Sequence, residues 1–307
     1  MTDAVAILGA NGFVGQHLIR ALDGIGVPVI AMVRDVSLGT PPRVEVHSGA
    51  FDRPEDFDAI LARVRVVIHA ASRSTPGYTA GRPLLELDVN VRPTLALLGA
   101  LQRAPHCRLL YLSSGGTLYG DTHDRPAQEG DALRPRSYYG AGKASAEHFI
   151  HAAAMQFGLS AVILRPANLY GPGQRARSGF GIIPTAFECI RRGTELTLWG
   201  DGRAVRDYLY IDDFIRLCLM VLDASMPGES HVFNAGSGRG VSLNQLVDII
   251  RHVTGRPLPV IHDTSRPVDV ARIELDPLKA AKVYGWVAEV SLEEGVAQAW
   301  RWWQAQP

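Results

Sequence analysis

Residues 4–15 read AVAILGANGFVG, and this stretch decides the fold class. Its first five residues are a short apolar run of the kind that forms a fully buried strand. Val14, Leu18 and Leu22 then continue an apolar stripe with helical spacing. A glycine-rich turn between a strand and a helix lets the backbone approach a pyrophosphate, and it points helix N–H groups at that anion. The stretch therefore predicts a dinucleotide-binding unit.

The residues of this unit that we expect to contact the dinucleotide lie in the turn and at the start of the helix. They are Gly9, Asn11, Gly12, Phe13, Val14 and Gly15. A second strand is expected over residues 27–33, and Arg34 and Asp35 follow it. An acidic residue at this place favours the free ribose 2'-hydroxyl of NAD, whereas an arginine can accommodate the 2'-phosphate of NADP. The sequence leaves both cofactors open.

Strands and helices alternate through the first half of the chain. Further apolar strands are expected at residues 44–46, 64–68, 109–112 and 161–164, with helices between them. Such alternation predicts an α/β fold, a Rossmann-type doubly wound parallel sheet with helices on both faces. We predict a dinucleotide-binding domain over residues 1–173, to which residues 205–235 return. A smaller, mixed α/β C-terminal substrate lobe is expected over residues 174–307.

Composition excludes several classes of partner. The 307 residues include 31 basic and 31 acidic side chains, so neither nucleic acid nor an anionic membrane is expected as the main partner. Three widely spaced cysteines do not suggest a disulfide framework, and the histidines form no metal-binding motif, so we expect no metal site. The first residues lack the features of a signal peptide, and no apolar run has spanning length. The expectation is a soluble cytoplasmic protein.

The chemistry is predicted from Tyr139 and Lys143. These residues are four positions apart, so on a helix their side chains leave the same face one turn apart. An ammonium group beside a phenol favours the phenolate and lowers its pKa towards the working pH. Tyr139 is therefore a candidate general base for an alcohol proton, or a general acid for a ketone.

Small and polar residues near strand ends are further candidates, because ligands in doubly wound sheets lie at the carboxyl ends of the strands. Asn90, in a long helix expected over residues 84–101, offers an amide for the nicotinamide side of the cleft. The other candidates for cofactor contacts are Ala70, Ala71, Ser113 and Pro166.

Several further motifs extend over nearly the whole chain. They are Gly9-xx-Gly12-xx-Gly15, Ser113 to Gly120, Tyr139-xxx-Lys143, Arg165 to Gln174, Gly200-Asp201-Gly202, Arg206-Asp207-Tyr208 and Arg266-xx-Asp269. In this combination the chain resembles the extended short-chain dehydrogenase/reductases, specifically the nucleotide-sugar epimerase/dehydratase family typified by UDP-glucose 4-epimerase. The glycine motif and the Tyr-xxx-Lys pair mark the superfamily, and the later motifs narrow the resemblance to enzymes of sugar nucleotides.

The resemblance implies a role for individual residues. Tyr139 would be the acid/base, and Lys143 would lower its pKa and bind the nicotinamide ribose. The implied substrate contacts are Asn168 to the phosphates, Trp199 to the uracil, Arg206 and Arg266 to the diphosphate, Asp269 to the nucleotide, and Ile183 beside the sugar pocket.

The chain departs from the family pattern at three places, one of which is Ala50 after the third strand, where the family often has an acidic residue and where Asp52 is close. Four residues before the tyrosine of its Tyr119-Gly120 pair the family usually has Ser or Thr, but this chain has Gly115. Ser114 or Thr117 must then supply the hydroxyl that bonds the reacting oxygen, unless a water does. The acidic residue expected after the second strand aligns with Val33, which leaves the choice between NAD and NADP open.

The activity that the resemblance implies is NAD-dependent inversion at C4 of a UDP-hexose or UDP-N-acetylhexosamine, through a 4-keto intermediate. An NADPH-dependent reductase of a nucleotide-linked 4-keto sugar is the first alternative, and Arg34 favours it. A 4,6-dehydratase is less favoured, because Gly116 and Thr117 stand where those enzymes have an acidic pair. A non-catalytic dinucleotide sensor is a further alternative. The resemblance also implies a homodimer, formed through helices near residues 84–104 and 137–157.

Overall fold

A seven-stranded parallel sheet forms the centre of the computed structural model, which describes residues 4–35, 43–122, 125–176, 181–224 and 229–306. The strands in chain order are β1 (Ala4–Leu8), β2 (Val29–Val33), β3 (Val44–Ser48), β4 (Val64–His69), β5 (Arg108–Leu112), β6 (Ala161–Pro166), β7 (Asn168–Tyr170), β8 (Leu196–Trp199), β9 (Val205–Tyr210), β10 (Ser230–Ala235), β11 (Gly240–Ser242), β12 (Val260–Asp263) and β13 (Arg272–Ile273). The order across the large sheet is β10-β6-β5-β4-β1-β2-β3.

Helices cover both faces of this sheet. They are α1 (Phe13–Gly24), α2 (Asp58–Leu61), α3 (Pro83–Glu86), α4 (Arg92–Leu101), α5 (Gly115–Leu118), α6 (Tyr138–Phe157), α7 (Ile182–Arg192), α8 (Ile211–Asp223), α9 (Leu243–Thr254), α10 (Leu278–Tyr284) and α11 (Leu292–Gln304), with a 3₁₀ turn at Pro54–Asp56 and a π turn at Leu87–Val91. Within the described ranges, no helix is both long enough and apolar enough to cross a bilayer.

Burial on both faces explains the continuous apolar strands. In β1 the side chains of Val5 and Ile7 enter one hydrophobic cluster, and those of Ala4, Ala6 and Leu8 enter the other. This division follows from the alternation of side chains along a strand. Because helices lie over both sides, neither face needs polar residues. The predicted doubly wound parallel sheet is confirmed.

A second, smaller sheet is built around β9. Strands β7 and β13 pair with β9 in parallel and β11 pairs with it antiparallel, while β8 and β12 form a separate parallel pair. The prediction that the C-terminal lobe has a mixed α/β structure is therefore confirmed. The chain crosses from the large sheet to the small one at Ala167, between β6 and β7, and β10 returns to the large sheet beside β6. The exact division at residue 173 stays a prediction.

The helix predicted over residues 84–101 contains an irregular turn that the apolar pattern does not reveal. Pro93 has no N–H to donate and its ring would collide with the preceding turn of an α-helix. The helix widens instead: the Arg92 N–H bonds the carbonyl of Leu87 across the π turn. The Thr94 hydroxyl donates to the Asn90 carbonyl at 2.7 Å. Such π turns are frequent at functional sites.

Candidate active site

Lys143 is buried at the carboxyl end of β5. It lies on the first turns of α6, which begins after Ser137, whose hydroxyl accepts a hydrogen bond from the Gly140 N–H at 3.1 Å. Its Nζ donates to the Leu112 carbonyl at 2.8 Å and lies 4.8 Å from the centroid of the Tyr111 ring. The side chain is 3% exposed. Burial lowers the pKa of Lys143 from 10.5 to about 8, against the raising effect of Glu86 and Glu147.

Tyr139 lies on the same helix, half-buried, with two serine hydroxyls at its phenol group. Burial raises the pKa of Tyr139, hydrogen bonds with Ser72 and Ser114 lower it, and the charge of Glu86 raises it. The net direction is upward, which differs from the lowering by Lys143 that the spacing predicts. The physical reason is that in the chain by itself the phenol loses water, while the Lys143 ammonium is directed to a backbone carbonyl.

Of the two hydroxyls predicted to bond the reacting oxygen, those of Ser114 and Thr117, the structure places that of Ser114 against Tyr139. Thr117 stands behind it and donates to the Ser114 oxygen at 2.9 Å. At Gly115, where the family usually has Ser or Thr, a Cβ would collide with the Leu275 side chain and lie 3.0 Å from the Arg165 carbonyl oxygen. Leu275 therefore fills the volume that a side chain at position 115 would need. Of the two alternatives for the hydroxyl, this geometry favours Ser114.

Gly115→Ser, which restores the usual family residue, is expected to destabilise the protein by about 1–3 kcal/mol, because it overpacks a closed site. Urea unfolding measures the loss. In the Leu275→Ala background the same substitution is expected to cost less by at least about 1 kcal/mol, because the collision is removed. Gly130→Ser is the matched control, since a Cβ there meets nothing within 4 Å. Equal costs in both backgrounds would contradict this account.

A buried polar network lies behind the serine loop. The Ser113 hydroxyl donates to Glu147 Oε1 at 2.5 Å, and Glu147 forms an ion pair with Arg165 at 2.5 Å. Arg165 also donates to the Tyr119 hydroxyl at 2.7 Å, which in turn donates to Asn234 Oδ1 at 2.6 Å. Every member has a partner, so the network is a rigid support for the loop. The Ser113 side chain belongs to this support, and its contact with a cofactor stays a prediction.

The glycine turn between β1 and α1 packs directly on the end of β4. Gly9 has φ +89°, and a Cβ on it would lie 2.6 Å from the Ala71 backbone; a Cβ on Gly15 would lie 2.5 Å from the Gly9 carbonyl oxygen. Gly12 is the N-cap of α1, and no side chain caps this end. The first N–H groups of a 12-residue helix are thus left for a ligand. This cradle fits the pyrophosphate of a dinucleotide.

The predicted cofactor residues around this cradle differ in exposure. Asn11 spans the cleft edge and donates from Nδ2 to the Asp35 carbonyl at 3.0 Å, so the exposed Arg34 and Asp35 lie beside the glycine turn. Phe13 packs edge-on against His17, with ring centroids 5.3 Å apart. Ala70, Val14 and Pro166 are half-buried or buried. These positions lie at the carboxyl ends of the strands of the large sheet, and their individual contacts stay predictions.

The side-chain amide of Asn90 forms hydrogen bonds with other groups of the protein. Its Oδ1 accepts from the Arg73 N–H at 2.9 Å, and its Nδ2 donates to Ser74 Oγ at 2.6 Å and to Glu86 Oε1 at 2.7 Å. The amide therefore holds the loop that follows β4. Since this loop carries Ser72, Asn90 can serve the cleft through the loop, while its direct contact with a cofactor stays a prediction.

Three of the predicted substrate residues form one cluster. The Arg266 guanidinium lies 3.8 Å from the centroid of the Trp199 ring, and it pairs with both oxygens of Asp269 at 2.8 Å. Arg206 donates to the Val205 carbonyl at 2.9 Å, and its burial lowers its pKa. A planar, stacked guanidinium is suited to diphosphate recognition.

Two other predicted substrate residues lie elsewhere. Asn168 donates from Nδ2 to the Asp207 carbonyl at 2.8 Å, and its side chain faces Gly116 of the serine loop. Ile183 is 2% exposed and belongs to the hydrophobic core. The contact of Ile183 with a sugar therefore stays a prediction. The burial of its side chain in the core does not favour that contact.

Two residues of the site, Ser72 and Glu86, were not among the predicted catalytic or binding residues. Ser72 follows β4 directly, so its position at the carboxyl end of a strand was the available signal. Glu86 gave no signal, because one acidic residue on a helix is normally solvated.

Comparison with known proteins agrees with this geometry. The model of the NAD dependent epimerase/dehydratase family matches residues 5–236. UDP-glucose 4-epimerase of Mycolicibacterium smegmatis is 29% identical over 302 residues, covering 95% of this chain and 96% of that protein. The structure of Thermotoga maritima UDP-glucose 4-epimerase with UDP-glucose has a TM-score of 0.91 and 29% identity, covering 98% of both chains.

A second solved structure is the Thermus thermophilus UDP-glucose 4-epimerase in complex with NAD. It has a TM-score of 0.92 and 27% identity, and the match covers 99% of this chain and 100% of that one. Together with the glycine cradle, these similarities confirm at the level of the family that the expected cofactor is NAD. The chain belongs to the NAD dependent epimerase/dehydratase family.

Proposed function

We propose that this protein is an epimerase that inverts C4 of a UDP-hexose or UDP-N-acetylhexosamine with NAD, through a 4-keto intermediate. The observation that carries the proposal is the arrangement of Tyr139, Ser114 and buried Lys143 at the carboxyl ends of the central strands. The glycine cradle lies at the same edge of the sheet, where Gly9 packs against Ala71. Acid/base and dinucleotide groups therefore meet in one cleft.

The chain's own groups would handle the proton. Tyr139 would take it from the sugar 4-hydroxyl and later return it, while the Ser114 hydroxyl would bond the reacting oxygen. Lys143 would keep a positive charge near the phenolate. NAD, when bound, supplies the acceptor for the C4 hydride and the donor for its return. The backbone of the glycine turn would fix the dinucleotide through its pyrophosphate.

Inversion requires the keto sugar to turn between the two hydride transfers. The protein must therefore bind the substrate through its nucleotide and leave the sugar free to rotate. The cluster of Trp199, Arg266 and Asp269 provides an aromatic face, a guanidinium fork and a carboxylate. Arg206 would supply the second cation for the diphosphate. Asp269 occupies the Arg266 fork, so we expect the phosphates of a nucleotide sugar to replace or share this partner.

The alternative with structural support is the NADPH-dependent reductase. Arg34 is exposed beside the glycine turn, where it could meet a 2'-phosphate. The dehydratase has less support, because Gly116 brings no side chain and the Thr117 hydroxyl is bonded to Ser114.

The experiment that separates these functions starts from purified protein without added cofactor. The protein is denatured to identify any released nucleotide, and fresh enzyme is incubated with UDP-glucose and with UDP-N-acetylglucosamine. Retained NAD and formation of the 4-epimer support the epimerase. An absence of both, with tighter binding of NADPH than NADH, would move the assignment to the reductase.

The proposal includes a homodimer. Large apolar side chains are exposed on α3 and α6, among them Leu84 at 71%, Phe149 at 49% and Met155 at 76%. These helices lie next to each other on one face of the sheet, as the contacts of Glu86 with Gly142 show. Neighbouring apolar surface of this kind is suited to a two-fold interface with a second copy.

Light scattering after gel filtration tests the dimer. Wild-type protein is expected at twice the 33.3 kDa of the chain. The double variant Leu84→Lys/Phe149→Lys is expected at the mass of the monomer, because two charges would be buried unpaired at the interface. Ile25→Lys, at an exposed apolar residue after α1, is the control and should stay dimeric. A monomeric wild type would contradict the proposal.

A further inference from the structure

A buried carboxylate that the proposed mechanism does not use lies beside the catalytic pair. Glu86, the last residue of α3, is 3% exposed. Its Oε2 accepts from the Ser74 hydroxyl at 2.6 Å, and its Oε1 accepts from Asn90 Nδ2 at 2.7 Å. Both partners are neutral donors. A buried carboxylate is costly unless a cation lies near it, so these hydrogen bonds leave the charge to be compensated.

Gly142 allows this carboxylate to approach α6. A Cβ on Gly142 would lie 2.5 Å from Glu86 Oε1 and 2.9 Å from its Cγ. Glycine is unfavourable in the interior of a helix, and close approach of another group is a reason to have it there. The carboxylate therefore rests on the helix backbone one residue before Lys143.

The groups around Lys143 come from several elements. Glu147 on its own helix is paired with Arg165, and Tyr111 on β5 presents its ring. His69 on β4 is buried, and burial lowers its pKa to about 3, so it brings no charge near neutral pH. Tyr139 lies one turn earlier on α6. Glu86 is thus the carboxylate near Lys143 that is held by neutral side chains rather than by a guanidinium.

We propose that Glu86 is the buried counter-charge of Lys143, and that Gly142 is present to make room for it. Glu86 is then a positioning residue: it keeps Lys143 cationic and, through Ser74 and Asn90, holds the loop that carries Ser72 against Tyr139. This role rests on the proposed function, in which a cationic Lys143 supports proton transfer by Tyr139.

The charge of Glu86 acts in the same direction on the pKa values of Lys143 and Tyr139. It raises the pKa of Lys143 against the lowering by burial, and it also raises the pKa of Tyr139. Removing the charge should lower both pKa values. Lys143 would then lose its proton at a lower pH, and Tyr139 would become a base at a lower pH. Both limbs of the pH–rate profile should therefore move to lower pH.

The direct test is NMR titration of lysine side chains in the full-length protein. The chain has three lysines, Lys143, Lys279 and Lys282, so selective labelling gives few signals, which Lys279→Arg and Lys282→Arg assign. Glu86→Gln keeps the shape of the side chain and removes its charge. We expect the pKa of Lys143 to fall by about 1 unit, the low end of the effect of a close opposite charge. Asp88→Asn, two residues further along the chain and exposed in an ion pair with Arg92, should leave the pKa of Lys143 unchanged.

This measurement needs no turnover, so it separates the two proposals. A protein without epimerase activity whose Lys143 pKa falls in Glu86→Gln supports the counter-charge and rejects the proposed function. An active epimerase whose Lys143 pKa does not move in Glu86→Gln overturns the counter-charge and leaves the function standing.

Gly142→Ala supplies a second test if Glu86→Gln does not fold. In the wild-type background this substitution should lower the melting temperature by several degrees, because the Cβ displaces the carboxylate. In a Glu86→Ala background it should raise the melting temperature, because alanine is the better helix former. An equal fall in both backgrounds would overturn the claim that Gly142 makes room for Glu86.

Discussion

Tyr139→Phe is expected to lower kcat for epimerisation by about 10³-fold, within the range that a positioned acid/base contributes. The ring remains and the hydroxyl is lost, so the sugar 4-hydroxyl has no base. The melting temperature should change little, because the two partners of the phenol are small hydroxyls that can bond water instead: Ser72 is exposed and Ser114 is half-buried. Turnover of UDP-glucose and thermal unfolding measure the two effects, and the nucleotide released on denaturation should still be NAD.

Tyr138→Phe is the matched control for this variant. Tyr138 precedes Tyr139 on the same helical turn, but its side chain is exposed. Loss of its hydroxyl should leave both the rate and the stability unchanged. A Tyr139→Phe enzyme that stays within tenfold of the wild-type rate would show that another group moves the proton.

Gly9→Ala is expected to remove the retained dinucleotide and to cost about 3 kcal/mol of stability. Two effects add: Gly9 has φ +89°, which an L-residue adopts only with strain, and its Cβ would lie 2.6 Å from the Ala71 backbone. Because backbone cannot move aside as a flexible side chain can, the turn must shift away from β4. The N-terminus of α1 would then no longer meet the pyrophosphate. Urea unfolding and the absorbance of nucleotide released by denaturation measure the two losses.

Gly24→Ala is the control, on the last residue of α1. A Cβ there meets nothing within 4 Å, so the change should be neutral or stabilise the protein by up to about 1 kcal/mol. It should also keep the dinucleotide. If Gly9→Ala retained as much nucleotide as Gly24→Ala, the glycine turn could not be the site of the pyrophosphate.

Most of the large sheet could be predicted from the sequence because its inner strands are buried on both faces. Val29–Val33 and Val64–His69, for example, are apolar along most of their length and stand out without any knowledge of their neighbours. The glycine turn could be predicted for a similar reason: its sequence, its strand and its helix are contiguous. Structure that depends on neighbouring residues in the chain can therefore be predicted from local sequence patterns.

The small sheet could not be predicted in the same way. Strands β7, β11 and β13 have three residues or fewer, and each is defined by its pairing with β9. Such short segments carry no periodicity of their own. The π turn was missed because its cause is the backbone of Pro93, not the apolar pattern.

Within the site, the contacts between residues that are distant in the chain could not be predicted from the sequence. The spacing placed Tyr139 and Lys143 on one helix, but it could not show that the Lys143 ammonium would bond Leu112. Gly115 was visible as a departure from the family pattern, while Leu275, which fills the space, is distant in the chain. The roles of Glu86 and Gly142 follow from their contact with each other, which the sequence does not show.

The most direct test of the central claim follows the hydrogen at C4. Purified protein without added cofactor is incubated in ordinary water with UDP-glucose that carries deuterium at C4 of the sugar, and the product is examined by NMR. The account predicts the 4-epimer with deuterium still at C4, because the hydride passes to bound NAD and returns to the same carbon without exchanging with water. Deuterium lost to water, deuterium found at C6, or no 4-epimer at all would contradict it.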